Sequence, residues 1–192
     1  MLATRIRSFS ASIVNITYKE LIGDKSLISK IDEAYGAGGL GVLTISDIPG
    51  YEAKRERLLP LASKLAALDP EVLKSLEVPI NHYGTGWSHG KEKFLGVPDY
   101  SKGSYYANPE CDTPSKEVEG LYHPNVWPRE HLAEFEGAFK SLGREVTKIG
   151  YLLSVGIDRY IKYHCEDYPE GLLTNVLKNG KNHLGRLLHY FP

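Results

Sequence analysis

The sequence predicts an α+β chain that combines one long amphipathic helix with a small, incomplete sheet. Apolar residues recur every three or four positions from Leu132 to Ile161, which is the period of a helix with one buried face. Short apolar or β-branched runs at 11–16 and 40–46 have the length of strands. The run GRLLHYF near Pro192 is typical of a further strand, and no later strand follows to pair with it.

The composition is that of an ordinary globular protein. The 192 residues include 23 Lys and Arg against 24 Asp and Glu, for a net charge of -1, and 42% are hydrophobic. This balance gives no general positive field that would attract nucleic acid. No apolar run reaches the roughly 18 to 20 residues that a membrane span needs. We therefore predict neither a nucleic-acid partner nor a membrane span.

Cysteine usage indicates a reducing compartment. Cys111 and Cys165 are the two cysteines of the sequence and form no CxxC pair, so we expect neither a disulfide framework nor a cysteine zinc site. The predicted location is the cytoplasm. The first 19 residues contain Arg5 and Arg7 and no acidic residue before Glu20, which makes a mitochondrial transit peptide the alternative.

Residues 1–78 are predicted to form a first segment in which strands and helices alternate. Thr17 and Glu20, after the strand at 11–16, have the spacing of a capping box. The strand at 40–46 is apolar on both faces, so we expect it to be covered on both sides. Helices are predicted at 27–35, at 51–68 with Pro60 inside or at its start, and from Asp69 onwards.

Residues 79–128 form a second segment, in which neither a helical nor a strand period is sustained. The segment is rich in Gly, Pro, Trp and Tyr, so we predict an irregular aromatic loop that is ordered by another surface. The third segment, 129–192, contains the long helix, a short helix at 170–178 and the last strand. This division is the predicted domain organisation.

Several side chains could carry chemistry, and each has a plainer structural alternative. His164, Cys165 and Glu166 have the His-x-acid form of non-haem iron sites. They fall at the end of the predicted long helix, where residues two apart point in different directions, so a structural helix end is the favoured interpretation. In GTGWSHG, His89 could contact a ligand or pack beside Trp87.

The motif KGSYYANP places Lys102, Tyr105, Tyr106 and Asn108 together on a segment expected to be extended. These side chains could line a polar pocket, or the tyrosines could be half-buried wall residues of a sheet. No GxSxG motif is present and no Cys–His pairing can be identified. The residues by themselves therefore indicate no catalytic centre.

The order of the elements and two motifs resemble a known family. GVLTISDIP is similar to the strand and turn GFF-x-x-x-NHGI, and RLLHYFP is similar to the strand ending in NYYP, of isopenicillin N synthase-like oxygenases. These are the 2-oxoglutarate and Fe(II)-dependent dioxygenases, also called clavaminate synthase-like proteins. GWSHGKEKF and KGSYYANP resemble an uncharacterised eukaryotic branch of the family. Asp47 replaces the His of the first pattern, and Phe191 replaces the second Tyr of NYYP.

The resemblance implies a fold and a set of site residues. The chain would be the N-terminal portion of a double-stranded β-helix (jelly-roll) oxygenase, with the long helix behind an incomplete sheet. His189 matches the Asn that lies beside the iron in the family. The residues implied to lie near substrate or cosubstrate are Trp87, His89, Tyr105, Tyr106, Arg186, His189 and Tyr190.

The resemblance also implies that a complete homologue uses Fe(II) and 2-oxoglutarate on a small-molecule substrate. The family's His-x-Asp, distal His and Arg-x-Ser follow the strand that corresponds to HYFP. We therefore expect this chain alone to bind neither cofactor and to contain no catalytic or metal-ligating residue. The alternative is a non-catalytic interaction module that docks on a partner chain, or self-associates, through the long helix and the terminal strand.

Overall fold

A computed structural model of the chain describes residues 12–23, 26–113, 120 and 122–192. The alternative of a mitochondrial transit peptide concerns largely residues 1–11, which lie outside the described residues. The helices are α1 (Tyr18–Leu21), α2 (Ile28–Tyr35), α3 (Tyr51–Ala66), α4 (Pro70–Ser75), α5 (Glu134–His164) and α6 (Leu172–Asn179). The strands are β1 (Val14–Thr17), β2 (Leu43–Ser46), β3 (Gly86–His89), β4 (Lys93–Phe94), β5 (Val97–Pro98), β6 (Lys102–Ala107) and β7 (Gly185–Tyr190).

The chain divides into two compact units, and each is discontinuous in sequence. The first unit contains the residues up to Pro49 together with Gly150–Lys178, and the second contains Gly50–Ile149 together with Asn179–Pro192. The division differs from the three predicted segments because α5 contributes its first half to the second unit and its second half to the first unit.

The first unit contains a two-stranded parallel sheet made of β1 and β2. The predicted capping box is confirmed, since Thr17 Oγ1 accepts a hydrogen bond from the Glu20 amide at 3.2 Å and Glu20 Oε2 accepts one from the Thr17 amide at 2.9 Å. The expectation that the strand at 40–46 is covered on both sides is wrong. Leu40 and Val42 are 53% and 43% exposed, and Thr44 is exposed as well, so the side of the run that carries these three residues faces solvent.

The second unit contains a three-stranded antiparallel sheet in the order β3-β6-β7. Strands β3 and β6 lie in residues 79–128, where the sequence shows no strand period. Gly103 and Ser104 interrupt the apolar alternation of β6, which explains why the period is hidden. The long helix, the helix with Pro60 in its interior, and the strand at GRLLHYF are confirmed as α5, α3 and β7.

An aromatic cluster joins the sheet of the second unit to the first half of α5. The Tyr105 ring on β6 meets the Phe135 ring edge-on, with 4.8 Å between centroids, and lies 5.8 Å from both Phe139 and Trp127. Tyr105 and Phe135 are fully buried, so this cluster is the centre of the core. The first half of α5 thus packs against the sheet, in agreement with the resemblance, which implies a long helix behind an incomplete sheet.

Strand β7 lies at one edge of the sheet, because β6 is its single partner among the described strands. The prediction of a last strand with one unpaired edge is thus confirmed. The α+β class is likewise confirmed, with two small sheets besides the β4–β5 hairpin. Among the described helices, none has the length and apolarity that crossing a membrane requires.

Candidate functional site

The two faces of the β3-β6-β7 sheet differ in chemistry. Trp87, Tyr105 and Leu187 stand opposite one another on the three strands and point into the core. Successive side chains of a strand point to opposite faces of a sheet, so the residues next to these three point away from the core. They include Tyr106 and Arg186, which stand opposite each other on β6 and β7. We call this second surface the polar face.

Two of the predicted site residues belong to the core. Trp87 is 3% exposed and Tyr105 is fully buried. The Tyr105 hydroxyl donates a hydrogen bond to the Val126 carbonyl at 2.5 Å, and burial raises the pKa of this hydroxyl above its usual value. The interpretation of Tyr105 as a wall residue of a sheet therefore fits the structure. Of the two adjacent tyrosines, it is Tyr106 that lies on the polar face.

A cluster of charged and polar side chains lies on the polar face, centred on the carboxylate of Glu92. Arg186 Nη2 donates hydrogen bonds to Glu92 Oε1 and to Ser104 Oγ, both at 2.8 Å. The Tyr106 hydroxyl donates to Glu92 Oε1 at 3.0 Å. The Arg186 guanidinium also lies over the Tyr106 ring, 5.1 Å from its centroid, in a cation–π arrangement.

Lys102 and Asp99 complete this cluster. Lys102 Nζ lies 3.0 Å from Glu92 Oε2 and 2.6 Å from Asp99 Oδ2. Hydrogen bonding to Asp99, then to Glu92, raises the pKa of the Lys102 ammonium, and the hydrogen bond from Lys102 lowers the pKa of Glu92. At neutral pH the Lys102 ammonium and the Glu92 carboxylate are therefore both charged.

His89 and His189 lie on the core-facing side of the sheet, one register position from Lys102. Both stand opposite Gly103 of β6, and the Phe191 ring contacts both imidazoles, at centroid distances of 4.6 Å to His89 and 4.7 Å to His189. His89 Nε2 donates to the Tyr100 carbonyl at 3.0 Å. The fold thus brings two histidines that the sequence indicated to the same aromatic side chain, that of Phe191.

The remaining predicted residue, Tyr190, is 66% exposed and stands opposite Lys102. Sequence reasoning missed Glu92, Asp99 and Ser104. Glu92 and Arg186 are 94 positions apart, so no local motif could have indicated their contact. The strand register, had it been known, would have identified Ser104, because it lies two residues from Tyr106 on the same face.

The residues described here do not fit an Fe(II) site on their own. In the described part of the chain, no group of three or more His, Cys, Asp and Glu side chains could hold a metal ion. The His164-Cys165-Glu166 motif lies where α5 ends. The His164 ring contacts the rings of Tyr160 and Tyr163, in keeping with the favoured interpretation of a helix end.

Comparison with known proteins identifies the fold. No protein-family model matches the sequence, and no curated protein matches it. Among solved structures, a protein from Caulobacter crescentus described as a 2OG-Fe(II) oxygenase family member superposes with a TM-score of 0.72 at 21% identity, over 94% of this chain and 57% of that chain. A full-length protein from Neurospora crassa, solved in complex with alpha-KG, gives a TM-score of 0.63 at 19% identity, over 96% of this chain and 56% of that chain.

These two similarities confirm the predicted resemblance to 2-oxoglutarate and Fe(II)-dependent oxygenases at the level of the fold. The chain spans a little over half the length of each of these proteins.

Proposed function

We propose that this chain, which has a fold found in 2OG-Fe(II) oxygenases, forms part of such an oxygenase and supplies one wall of its reaction cavity. The observation that carries the proposal is the superposition on the Caulobacter crescentus protein over 94% of the chain. The sheet β3-β6-β7 would be the beginning of the jelly roll, and α5 would support it from behind. Strand β7 would pair with a further strand along its free edge.

The polar face is the surface that we assign to the cavity. It carries Tyr106, Arg186 and Ser104, whereas the opposite face is filled by the aromatic core and carries His89 and His189. Of the residues that the resemblance implies near substrate or cosubstrate, the proposal therefore keeps Tyr106, Arg186 and Tyr190. Guanidinium, ammonium and phenol groups are the donors that proteins use to bind carboxylates. Arg186, Lys102 and Tyr106 thus suit the binding of a substrate that carries a carboxylate group.

Our proposal gives this chain no part in holding the iron, because its described residues contain no suitable ligand set. In a complete homologue, bound Fe(II) and 2-oxoglutarate would supply the oxidising chemistry. The residues of this chain would bind and orient the substrate. We further propose a small-molecule substrate and a cytoplasmic location.

The sequence of the parent gene tests this proposal. We expect the reading frame to continue past Pro192 and to encode a His-x-Asp motif, a later His and an Arg-x-Ser motif, which are the family's iron and cosubstrate residues. A frame that ends at Pro192, or that continues without these motifs, would contradict the proposal.

A second candidate is the non-catalytic interaction module. It is favoured by the free edge of β7 together with the exposed side chains of Leu184 and Tyr190 at its ends, which are 60% and 66% exposed. Edge strands with apolar neighbours are ready templates for pairing with another chain. Analytical ultracentrifugation distinguishes this candidate, because a module that self-associates forms dimers at high concentration, and a monomer throughout the concentration range would exclude self-association.

A further inference from the structure

We propose that Arg186, Tyr106 and Lys102 form a binding site for the carboxylate group of a small ligand, and that the chain's own Glu92 occupies this site in the structure. The identification of this ligand as a substrate or a cosubstrate rests on the proposed function. The site itself follows from the geometry of the polar face.

Three donors of different types converge on one carboxylate. The Tyr106 hydroxyl and Arg186 Nη2 contact Glu92 Oε1 at 3.0 and 2.8 Å, and Lys102 Nζ contacts Glu92 Oε2 at 3.0 Å. Each oxygen of the carboxylate therefore has a charged donor within hydrogen-bond distance. Such charge-assisted hydrogen bonds are the stronger ones in proteins, and a free carboxylate of the same shape could make the same three contacts.

The three donors are held in place by groups other than Glu92. Ser104, which is buried, accepts from Arg186 Nε and Nη2 at 3.2 and 2.8 Å. The Tyr106 ring lies beneath the guanidinium, and Asp99 holds Lys102 at 2.6 Å. Asp99 in turn accepts hydrogen bonds from the amide and hydroxyl of Ser101. The site is thus pre-organised and would persist if Glu92 moved away.

Glu92 can leave without unfolding its surroundings. Its side chain is 44% exposed, and it precedes the short β4–β5 hairpin, whose Leu95 is 90% exposed. The Glu92 carbonyl accepts from the Asp99 amide at 2.8 Å, so the backbone stays anchored while the side chain rotates. Arg186 and Lys102 carry two positive charges against the two negative charges of Glu92 and Asp99, and a ligand carboxylate in place of Glu92 preserves this neutrality.

The surroundings indicate what the rest of the ligand is. Leu188 and Tyr190 stand opposite Ser104 and Lys102 and share the polar face with the Tyr106 ring. An aromatic or aliphatic group attached to the carboxylate would find apolar contacts there. The ligand class is therefore an aryl- or alkyl-carboxylic acid.

The test is a calorimetric titration of the iron-free 192-residue chain with phenylacetate and with its neutral isostere phenylacetamide. Glu92→Gln removes the competing charge, so we expect this variant to bind phenylacetate about tenfold more tightly than the unaltered chain. Phenylacetamide should bind neither protein measurably. Arg186→Gln combined with Glu92→Gln should abolish the phenylacetate signal.

Matched controls are Glu33→Gln and Arg55→Gln, which change the same residue types at exposed positions outside the cluster and should leave phenylacetate affinity unchanged. A Glu92→Gln variant that binds phenylacetate no more tightly than the unaltered chain would overturn the proposal. Equal binding of phenylacetamide by Glu92→Gln would also overturn it, and neither result depends on the folding of an Arg186 variant.

Titration of Glu92→Gln with 2-oxoglutarate distinguishes the source of the carboxylate. Binding tighter than that of phenylacetate assigns the site to the cosubstrate, and weaker binding assigns it to the substrate. These titrations use the iron-free chain, so their result does not depend on the iron motifs. A parent gene without those motifs would disprove the proposed function, but the carboxylate site could still be confirmed.

Discussion

Single carboxylates fix the ends of several elements in this protein, and Asp158 is an instance. Its side chain is 6% exposed and accepts hydrogen bonds from the amides of Leu173 and Thr174, each at 3.0 Å. The hydroxyls of Thr174 and Tyr168 donate to it at 2.6 Å. Burial opposes its ionisation, but these hydrogen bonds outweigh burial and lower the pKa of Asp158. A residue of α5 thus caps the start of α6.

We predict that Asp158→Asn lowers the free energy of unfolding by about 1 to 3 kcal/mol, because a neutral amide leaves at least one of these donors without an acceptor. Chemical denaturation followed by circular dichroism measures the change. The matched control is Asp167→Asn, at an exposed position, for which we expect a change within about 0.5 kcal/mol. Equal effects of the two substitutions would refute the capping role.

Asp112 gives a prediction about pH. Burial raises its pKa, but hydrogen bonds from Lys140, Asn125 and Trp127 outweigh burial and lower the pKa to about 2. Because the folded pKa lies below the unfolded value of about 3.9, ionised Asp112 stabilises the fold above that value, and this contribution is lost as the pH falls towards 2.

We therefore expect the loss of unfolding free energy between about pH 4 and pH 2 to be smaller in Asp112→Asn than in the unaltered chain. Denaturation curves recorded across this range provide the comparison. An equal loss of unfolding free energy between about pH 4 and pH 2 in both proteins would show that ionised Asp112 does not stabilise the fold.

At the scale of elements, β6 is the centre of the second unit's sheet, and its Gly103 makes room for the Trp87 ring. A Cβ atom added at Gly103 would lie 2.2 Å from that ring, which is far below van der Waals contact. We predict that Gly103→Ala lowers the free energy of unfolding by about 1 to 3 kcal/mol through overpacking. Thermal unfolding tests this, with Gly38→Ala as the control, since a Cβ there meets nothing within 4 Å. Comparable stability of the two variants would contradict the role of Gly103.

The sequence predicted best the elements that depend on local interactions. The capping box of Thr17 and Glu20 and the apolar stripe of α5 involve residues three or four apart, and both are confirmed. Strand β3 escaped prediction and β6 was expected only as an extended segment, because both strands are stabilised by pairing with distant residues, as when Tyr105 stands opposite Leu187. Glu92 and Arg186 are likewise far apart, at 94 positions, so the sequence predicted Tyr106, Arg186 and Lys102 of the candidate site but not Glu92.

At the scale of the whole molecule, β7 is an edge strand of its sheet among the described strands. Strand β7 has a single partner, and the oxygenases that share the fold are longer, with this chain spanning 57% and 56% of them. Both observations agree with the proposal that this chain is a wall of a larger cavity. In this view it contributes carboxylate-binding residues, and the iron ligands come from elsewhere.

The most direct test of this central claim is an anaerobic titration of the 192-residue chain with Fe(II) and 2-oxoglutarate, followed by visible absorption. Iron bound by the protein together with 2-oxoglutarate would give a weak charge-transfer band. We predict that no such band appears beyond that of Fe(II) and 2-oxoglutarate without protein. A saturable band from this chain would contradict the claim, because it would show that these 192 residues hold the iron themselves.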